Sequence, residues 1–209
     1  MKKLILASAS PRRSRILKDA GVAFDTLVTD ADEHVPEGTP ITEAVELISA
    51  RKCRAAAERL REAGVTDGCY VLAADTVVEC FGEMLGKPRD REDARRMLTM
   101  LAGCGSAVHT GITICELSSG REESSVETTY LAFEGLDADE IEAYIDTDEP
   151  YDKAGGYGIQ GRAGIFIPGI TGDYFNVMGL PLHAVHMLLR DSFGVSLTEF
   201  KDQDHTRRS

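Results

Sequence analysis

Lys3-Leu4-Ile5-Leu6-Ala7-Ser8-Ala9-Ser10-Pro11-Arg12-Arg13 runs a short apolar segment straight into a helix start. Residues 4–7 are expected as a buried strand. Ser10 suits a helix N-cap, and Pro11 suits the first helical position, where its missing N–H costs nothing and its φ is preset. The helix continues through Ile16, Leu17 and Ala20 to a stop at Gly21. Two hydroxyls and two guanidiniums therefore sit at a strand-to-helix junction, where backbone N–H groups and the helix dipole favour an anion. Arginine supplies forked donors that match phosphate oxygens. Taken alone, the same string reads equally well as a solvated, capped helix start.

Outward from this junction, strands and helices alternate. A strand is expected over 23–28, then an acidic loop over 29–40 carrying Asp30, Asp32, Glu33 and Glu37. A long helix follows to about Ala63, with Val45, Ile48, Ala56 and Leu60 among its apolar positions. Residues 70–80 read as a central strand that turns at Gly82-Glu83 and returns through Met84-Leu85. Asp90 caps a helix with Ala94, Met97, Leu98 and Leu101 on one face. Residues 107–115 and 125–133 are β-rich, with a hairpin at Ser118-Ser119-Gly120. A short acidic helix over 137–145 precedes a glycine-rich loop over 152–161; short strands are expected over 165–170 and 174–177, and a last helix over 181–189. The expected fold is α/β with a mixed sheet, since the hairpins require antiparallel pairs. A single domain is expected over 1–197, with a mobile polar tail over 198–209.

Composition narrows the function. The 209 residues are 43% hydrophobic, enough for a sizeable core. A net charge of -12 argues against nucleic-acid binding, which needs a basic face, and makes any local cluster of Arg and Lys a focused site. The five cysteines (Cys53, Cys69, Cys80, Cys104, Cys115) are odd in number and lack CxxC spacing, which fits reduced thiols. No apolar run approaches the roughly 20 residues of a membrane span, and no signal peptide is read at the N-terminus. A soluble, cytoplasmic protein is expected.

Within Ala73-Ala74-Asp75-Thr76-Val77-Val78, an aspartate interrupts an apolar strand. Such a residue is costly without a partner or a task. Asp75 therefore reads as a general base or a metal ligand, and Glu33 could join it through the fold. Two converging carboxylates suit Mg²⁺ or Mn²⁺. The histidines His34, His109, His183, His186 and His205 are scattered and form no metal pattern. Lys52 lies on the long helix between Arg51 and Arg54, by default a solvated face. Lys87 sits in the turn Gly86-Lys87-Pro88-Arg89-Asp90, within which it could reach a phosphate. In Asp152-Lys153-Ala154-Gly155-Gly156-Tyr157-Gly158-Ile159-Gln160-Gly161, small residues allow close backbone approach to a ligand, and the Gln160 amide could read a base edge. The loop matches neither the dinucleotide nor the Walker spacing.

Taken together, Ser8 to Arg13, Ala74 to Val77, Gly86 to Pro88, the 152–161 loop, Gly172-Asp173-Tyr174-Phe175-Asn176-Val177 and Gly179-Leu180-Pro181-Leu182 resemble the Maf family of nucleoside triphosphate pyrophosphatases. The motifs occur in family order from residue 3 to about 194. The resemblance implies hydrolysis of a nucleoside triphosphate to the monophosphate and pyrophosphate with a divalent cation (Mg or Mn). It also implies an inosine-triphosphatase-like α/β fold, with an elongated mixed sheet and two lobes around a cleft. By motif matching, Asp75 takes the proton-acceptor position. Arg13, Lys52 and Lys87 match triphosphate contacts, and Ser8 and Glu33 match other active-site positions. A homodimer and a link to septum formation are implied in the same way.

Within the family, the branch acting on dTTP and UTP resembles this chain at Arg12, Thr76 and Gln160, whereas the branch acting on 7-methyl-GTP carries an aromatic residue in place of Arg12. Physical chemistry points the same way. A cation, a hydroxyl and an amide suit a neutral pyrimidine, and Arg12 repels a base that is already positive. A non-enzymatic nucleotide sensor acting on cell division through a protein partner is the alternative; the intact Asp75 and cationic set speak against it.

Overall fold

The computed structural model describes residues 2–201. The opening junction forms as expected. β1 (Lys3–Leu6) buries Leu4 and Leu6, and α1 (Pro11–Asp19) follows with Ser10 as its extended N-cap. The Ser10 hydroxyl accepts the Arg13 backbone N–H at 3.5 Å, and Ile16 and Leu17 form the buried face of the helix. β2 (Asp25–Thr26) is shorter than the expected 23–28, because the Ala23 N–H is taken by the Phe200 carbonyl rather than by a strand partner. Next come α2 (Ile41–Glu62), β3 (Cys69–Cys80), β4 (Glu83–Leu85), α3 (Arg91–Leu101), β5 (Gly105–Glu116), β6 (Glu122–Ala132) and α4 (Ala138–Ile145), close to where hydrophobic spacing puts them. The β3–β4 hairpin turns one residue earlier than expected. Cys80 pairs with Glu83, and Phe81 and Gly82 both take positive φ, as a two-residue turn that matches strand twist requires.

Two expected strands form differently. Most of 165–170 is not strand: Arg162–Phe166 is a 3-10 turn, started by the Glu149 carboxylate, which accepts the Arg162 N–H at 2.8 Å. Only β7 (Gly169–Thr171) pairs with a neighbour. Residues 174–177 form a helical turn, α5 (Tyr174–Val177), because the Asp173 side chain accepts the Phe175 N–H at 2.7 Å and starts it. Aromatic and β-branched content favours a strand, and a local cap overrides it. The last helix, α6 (Leu182–Phe193), runs past 189 to Gly194 in the left-handed region. Ser196 then caps the turn Leu197–Glu199, and Phe200 is buried with its ring 5.8 Å from that of Tyr70. The packed chain thus extends beyond 198, and residues 202–209 of the expected tail lie outside the described residues.

Among the described residues, seven strands form one mixed sheet in the order β2-β1-β3-β5-β6-β7, with β4 paired to β3. β1 lies parallel to both β2 and β3 (Leu6 opposite Thr26 and Leu72). β4 and β7 run antiparallel to β3 and β6. The first six residues of β3 are buried, as in strands covered on both faces. Within the described residues, the chain divides into two compact units. One takes 2–75, 110–126 and 179–201; the other takes Thr76–His109 and Glu127–Met178. Each has its own apolar cluster. In the first, Ile5, Val71 and Ala73 of the sheet meet Cys53, Ala56 and Ala57 of α2. In the second, Val78 and Leu85 meet Ala94, Met97, Leu98 and Leu101 of α3.

Candidate active site

Three elements of the first unit bring charged side chains together. The Lys52 ammonium, on α2, lies 2.7 Å from Asp75 Oδ1 on β3 and 2.7 Å from Glu33 Oε1 in the loop before α2. Lys52 and Asp75 are largely enclosed, with 17% and 15% of their side chains exposed, whereas Glu33 is 64% exposed. Asp75 thus sits at the end of the buried run of β3 and has the partner that an aspartate there needs. Two carboxylates 42 residues apart in sequence converge on one cation.

At the β1–α1 junction, Arg13 Nη1 donates to Ser8 Oγ at 3.0 Å, and its Nε donates to the Gly179 carbonyl at 2.7 Å. Ser8 Oγ also accepts the Ser10 N–H at 3.2 Å. With both acceptor positions used, the Ser8 hydroxyl keeps its proton to donate, which suits an anionic oxygen. Burial pulls the Arg13 guanidinium below its ordinary pKa; the Asp75 charge opposes that shift, Arg12 adds to it, and Glu33 opposes it. Arg13 nonetheless stays charged. Arg13 and the carboxylate pair therefore share one electrostatic environment. The Gly179 carbonyl is a contribution that sequence reasoning missed. The Gly179-Leu180-Pro181-Leu182 motif was visible, but nothing local ties it to a residue 166 positions earlier.

Of the remaining expected site residues, Arg12 lies on α1 next to Arg13 in the first unit, and Thr76, Lys87 and Gln160 belong to the second. Thr76 continues β3 directly after Asp75 and is half-buried. Lys87 is exposed in the turn between β4 and α3. That turn is held by the glycine-rich loop: the Gly155 N–H bonds the Gly86 carbonyl at 3.0 Å, and a Cβ on Gly156 would lie 3.1 Å from Pro88. Gln160 is exposed beside Gly161, where a side chain would meet the Glu149 carboxylate at 2.2 Å. The glycines expected to admit a ligand thus have packing reasons of their own.

His183 and His186 share α6, and the other described histidines lie on separate elements or loops. His109 bonds Thr128 Oγ1 and Glu79 Oε2, both at 2.9 Å; His34 and His183 are exposed, and His205 lies outside the described residues. Among the described residues there is no group of three or more His, Cys, Asp or Glu that could hold a metal. Asp75 and Glu33 fit Mg²⁺ or Mn²⁺ all the same. Such ions take hard oxygens, often use one or two carboxylates, and draw further oxygens from substrate phosphates and water. The pair already faces a cation, since the Lys52 ammonium lies between them.

A mixed α/β sheet whose unit holds a lysine between two carboxylates and a buried arginine at a helix start defines a class of protein equipped to handle a polyphosphate. The chain belongs to the Maf family: the family model described as Maf-like protein matches residues 3–192. Curated relatives carry the name dTTP/UTP pyrophosphatase. The Moorella thermoacetica protein is 46% identical over 94% of this chain and 98% of its own length. The Desulforamulus reducens protein is 43% identical over 94% and 100%, and the Bdellovibrio bacteriovorus protein is 45% identical over 89% and 96%. Among solved structures, the Staphylococcus aureus Ham1 protein aligns with a TM-score of 0.47 at 14% identity, over 79% of this chain and 91% of that one. Among the described residues, no helix is long and apolar enough to cross a membrane.

Proposed function

We propose that this protein hydrolyses dTTP and UTP to the nucleoside monophosphate and pyrophosphate, by attack of water at the α-phosphate. The observation that carries this reading is the Asp75–Lys52–Glu33 cluster in the same unit as the Arg13 junction. The names of the Maf relatives support the substrate class. The water oxygen bonds to the α-phosphorus, the bond from that phosphorus to the α,β-bridging oxygen breaks, and pyrophosphate leaves. Asp75 accepts the proton of the attacking water. Arg13, Lys52 and Lys87 neutralise phosphate oxygens, and Ser8 donates a hydrogen bond to one of them. Asp75 and Glu33 hold a divalent cation (Mg or Mn), which when bound supplies charge neutralisation and a more acidic water. A carboxylate is a weak base, with a free pKa of about 3.9, so its task depends on that help.

Arg12, Thr76 and Gln160 set the base preference toward a neutral pyrimidine. The same reading makes the protein a cytoplasmic homodimer with a link to septum formation. The deciding experiment measures kcat/KM for dTTP, UTP, CTP, GTP and 7-methyl-GTP at one metal concentration, with products identified. Preference for dTTP and UTP is expected, with ¹⁸O from labelled water in the monophosphate and activity lost in excess chelator. Release of orthophosphate, or preference for the methylated purine, overturns the reading. Nucleotide binding without turnover points instead to a sensor.

A further inference from the structure

We propose that Arg51 is a positioning residue for this reaction: it pins the loop that carries Glu33, so that the Glu33 carboxylate meets Lys52 opposite Asp75. The inference rests on the reading of Glu33 as a site residue.

Between Thr26 and Ile41 the chain forms neither strand nor helix. The Glu33 side chain is mostly exposed, so no packing fixes it. Its place is set by what grips the loop on either side. Arg51 Nη1 donates to the carbonyl of Asp32 at 3.3 Å and to the carbonyl of His34, the two residues that flank Glu33. The same nitrogen lies 3.7 Å from Asp32 Oδ2. The other Asp32 oxygen accepts the His34 N–H at 2.9 Å, which closes a small turn around Glu33. Arg51 and Lys52 are consecutive on α2. One grips the loop backbone and the other takes the carboxylate that the loop presents. A guanidinium, with five donors in a fixed fork, can serve two carbonyls and a carboxylate together; a lysine ammonium makes a looser clamp.

Removal of Arg51 frees the loop, so Glu33 spends less time beside Lys52. Misplacement of a catalytic group by about 1 Å costs about 10²-fold in rate. The test compares wild type, Arg51→Ala, Arg51→Lys, Glu33→Gln and the double variant Arg51→Ala/Glu33→Gln, by pyrophosphate release, thermal unfolding and amide exchange over 30–36. Arg51→Ala is expected to lower kcat/KM by about 10- to 100-fold and to speed exchange at His34, while unfolding as one transition near the wild-type temperature. Arg51→Lys should fall between the two. The double variant should be no slower than Glu33→Gln alone, because the clamp then has nothing to position. Full additivity in the double variant overturns the proposal, since Arg51 would then act on something other than Glu33. Wild-type turnover in either Arg51→Ala or Glu33→Gln overturns it too. If the wild-type protein releases no pyrophosphate, the functional reading fails, and exchange at His34 in Arg51→Ala still decides the clamp.

Discussion

At the scale of single residues, the proposed reaction assigns the proton transfer to Asp75. It ends a buried run of β3 and is neutralised by Lys52 at 2.7 Å. Asp75→Asn keeps the side-chain size and removes the charge. Turnover is expected to fall by about 10²–10⁴-fold with an unchanged circular dichroism spectrum, the range for loss of a general base. Lys52→Met removes the cation between two carboxylates, and a loss of about 10²–10³-fold in kcat is expected from the missing transition-state charge stabilisation. Wild-type kcat in either folded variant would take that residue out of the chemistry. Asp75, Arg13 and Ser8 stood out in the sequence as candidates because each breaks a local rule: a charge in an apolar strand, or cations and hydroxyls at a helix start. Lys52 and Glu33 were not legible on local grounds. A lysine on a helix and a glutamate in an acidic loop look like ordinary solvated residues until the fold sets them 2.7 Å apart.

At the scale of elements, the spacing of α2 above β5 decides whether Lys52 reaches Asp75. A Cβ on Gly111 of β5 would lie 2.3 Å from the Val45 carbonyl oxygen and 2.7 Å from the Glu46 nitrogen, both α2 backbone atoms that cannot rotate away. Gly111→Ala is expected to destabilise the protein by about 3 kcal/mol, as overpacking does. It should also lower kcat/KM at temperatures where the variant is folded, because α2 must lift. Urea unfolding together with kinetics tests both. In α3, the Asp93 carboxyl is held down at about 2, chiefly by its hydrogen bond from Arg89, with burial opposing. A carboxylate with a depressed folded pKa contributes stability that is fully present above its unfolded pKa of about 3.9 and is lost as pH falls toward 2. Urea midpoints are therefore expected to drop between about pH 4 and pH 2 by more in the wild type than in Asp93→Asn. Equal drops would show that other carboxylates govern the acid limb.

At the scale of the whole molecule, all five cysteines are free, and only Cys104 is exposed. Burial raises the thiol pKa of Cys53, Cys69, Cys80 and Cys115 above its ordinary value, which lowers their thiolate fraction near neutral pH. A chromogenic disulfide reagent at pH 8 is expected to titrate one thiol rapidly in the native protein and all five in denaturant. A second fast thiol in the native state would show that one of the two cores opens far more readily than its packing implies. The odd count and absent CxxC spacing had already pointed to reduced thiols. Which thiols are shielded depends on the sheet and on α2.

The sequence by itself determined the alternation of strands and helices, the β1–α1 junction with its Ser10 cap, the mixed character of the sheet and the Maf motifs. These follow from local propensity, capping and hydrophobic period, which act over a few residues. Only the tertiary structure decided that Glu33 joins Asp75 at Lys52, that Gly179 holds Arg13, that Gly155 and Gly156 serve packing against the Lys87 turn, and that the chain stays packed through Phe200. It also decided that Asp173 turns 174–177 into helix. Each of these rests on a few hydrogen bonds or contacts, most of them between residues far apart in sequence. Sheet order and helix placement create such contacts, and no local pattern encodes them.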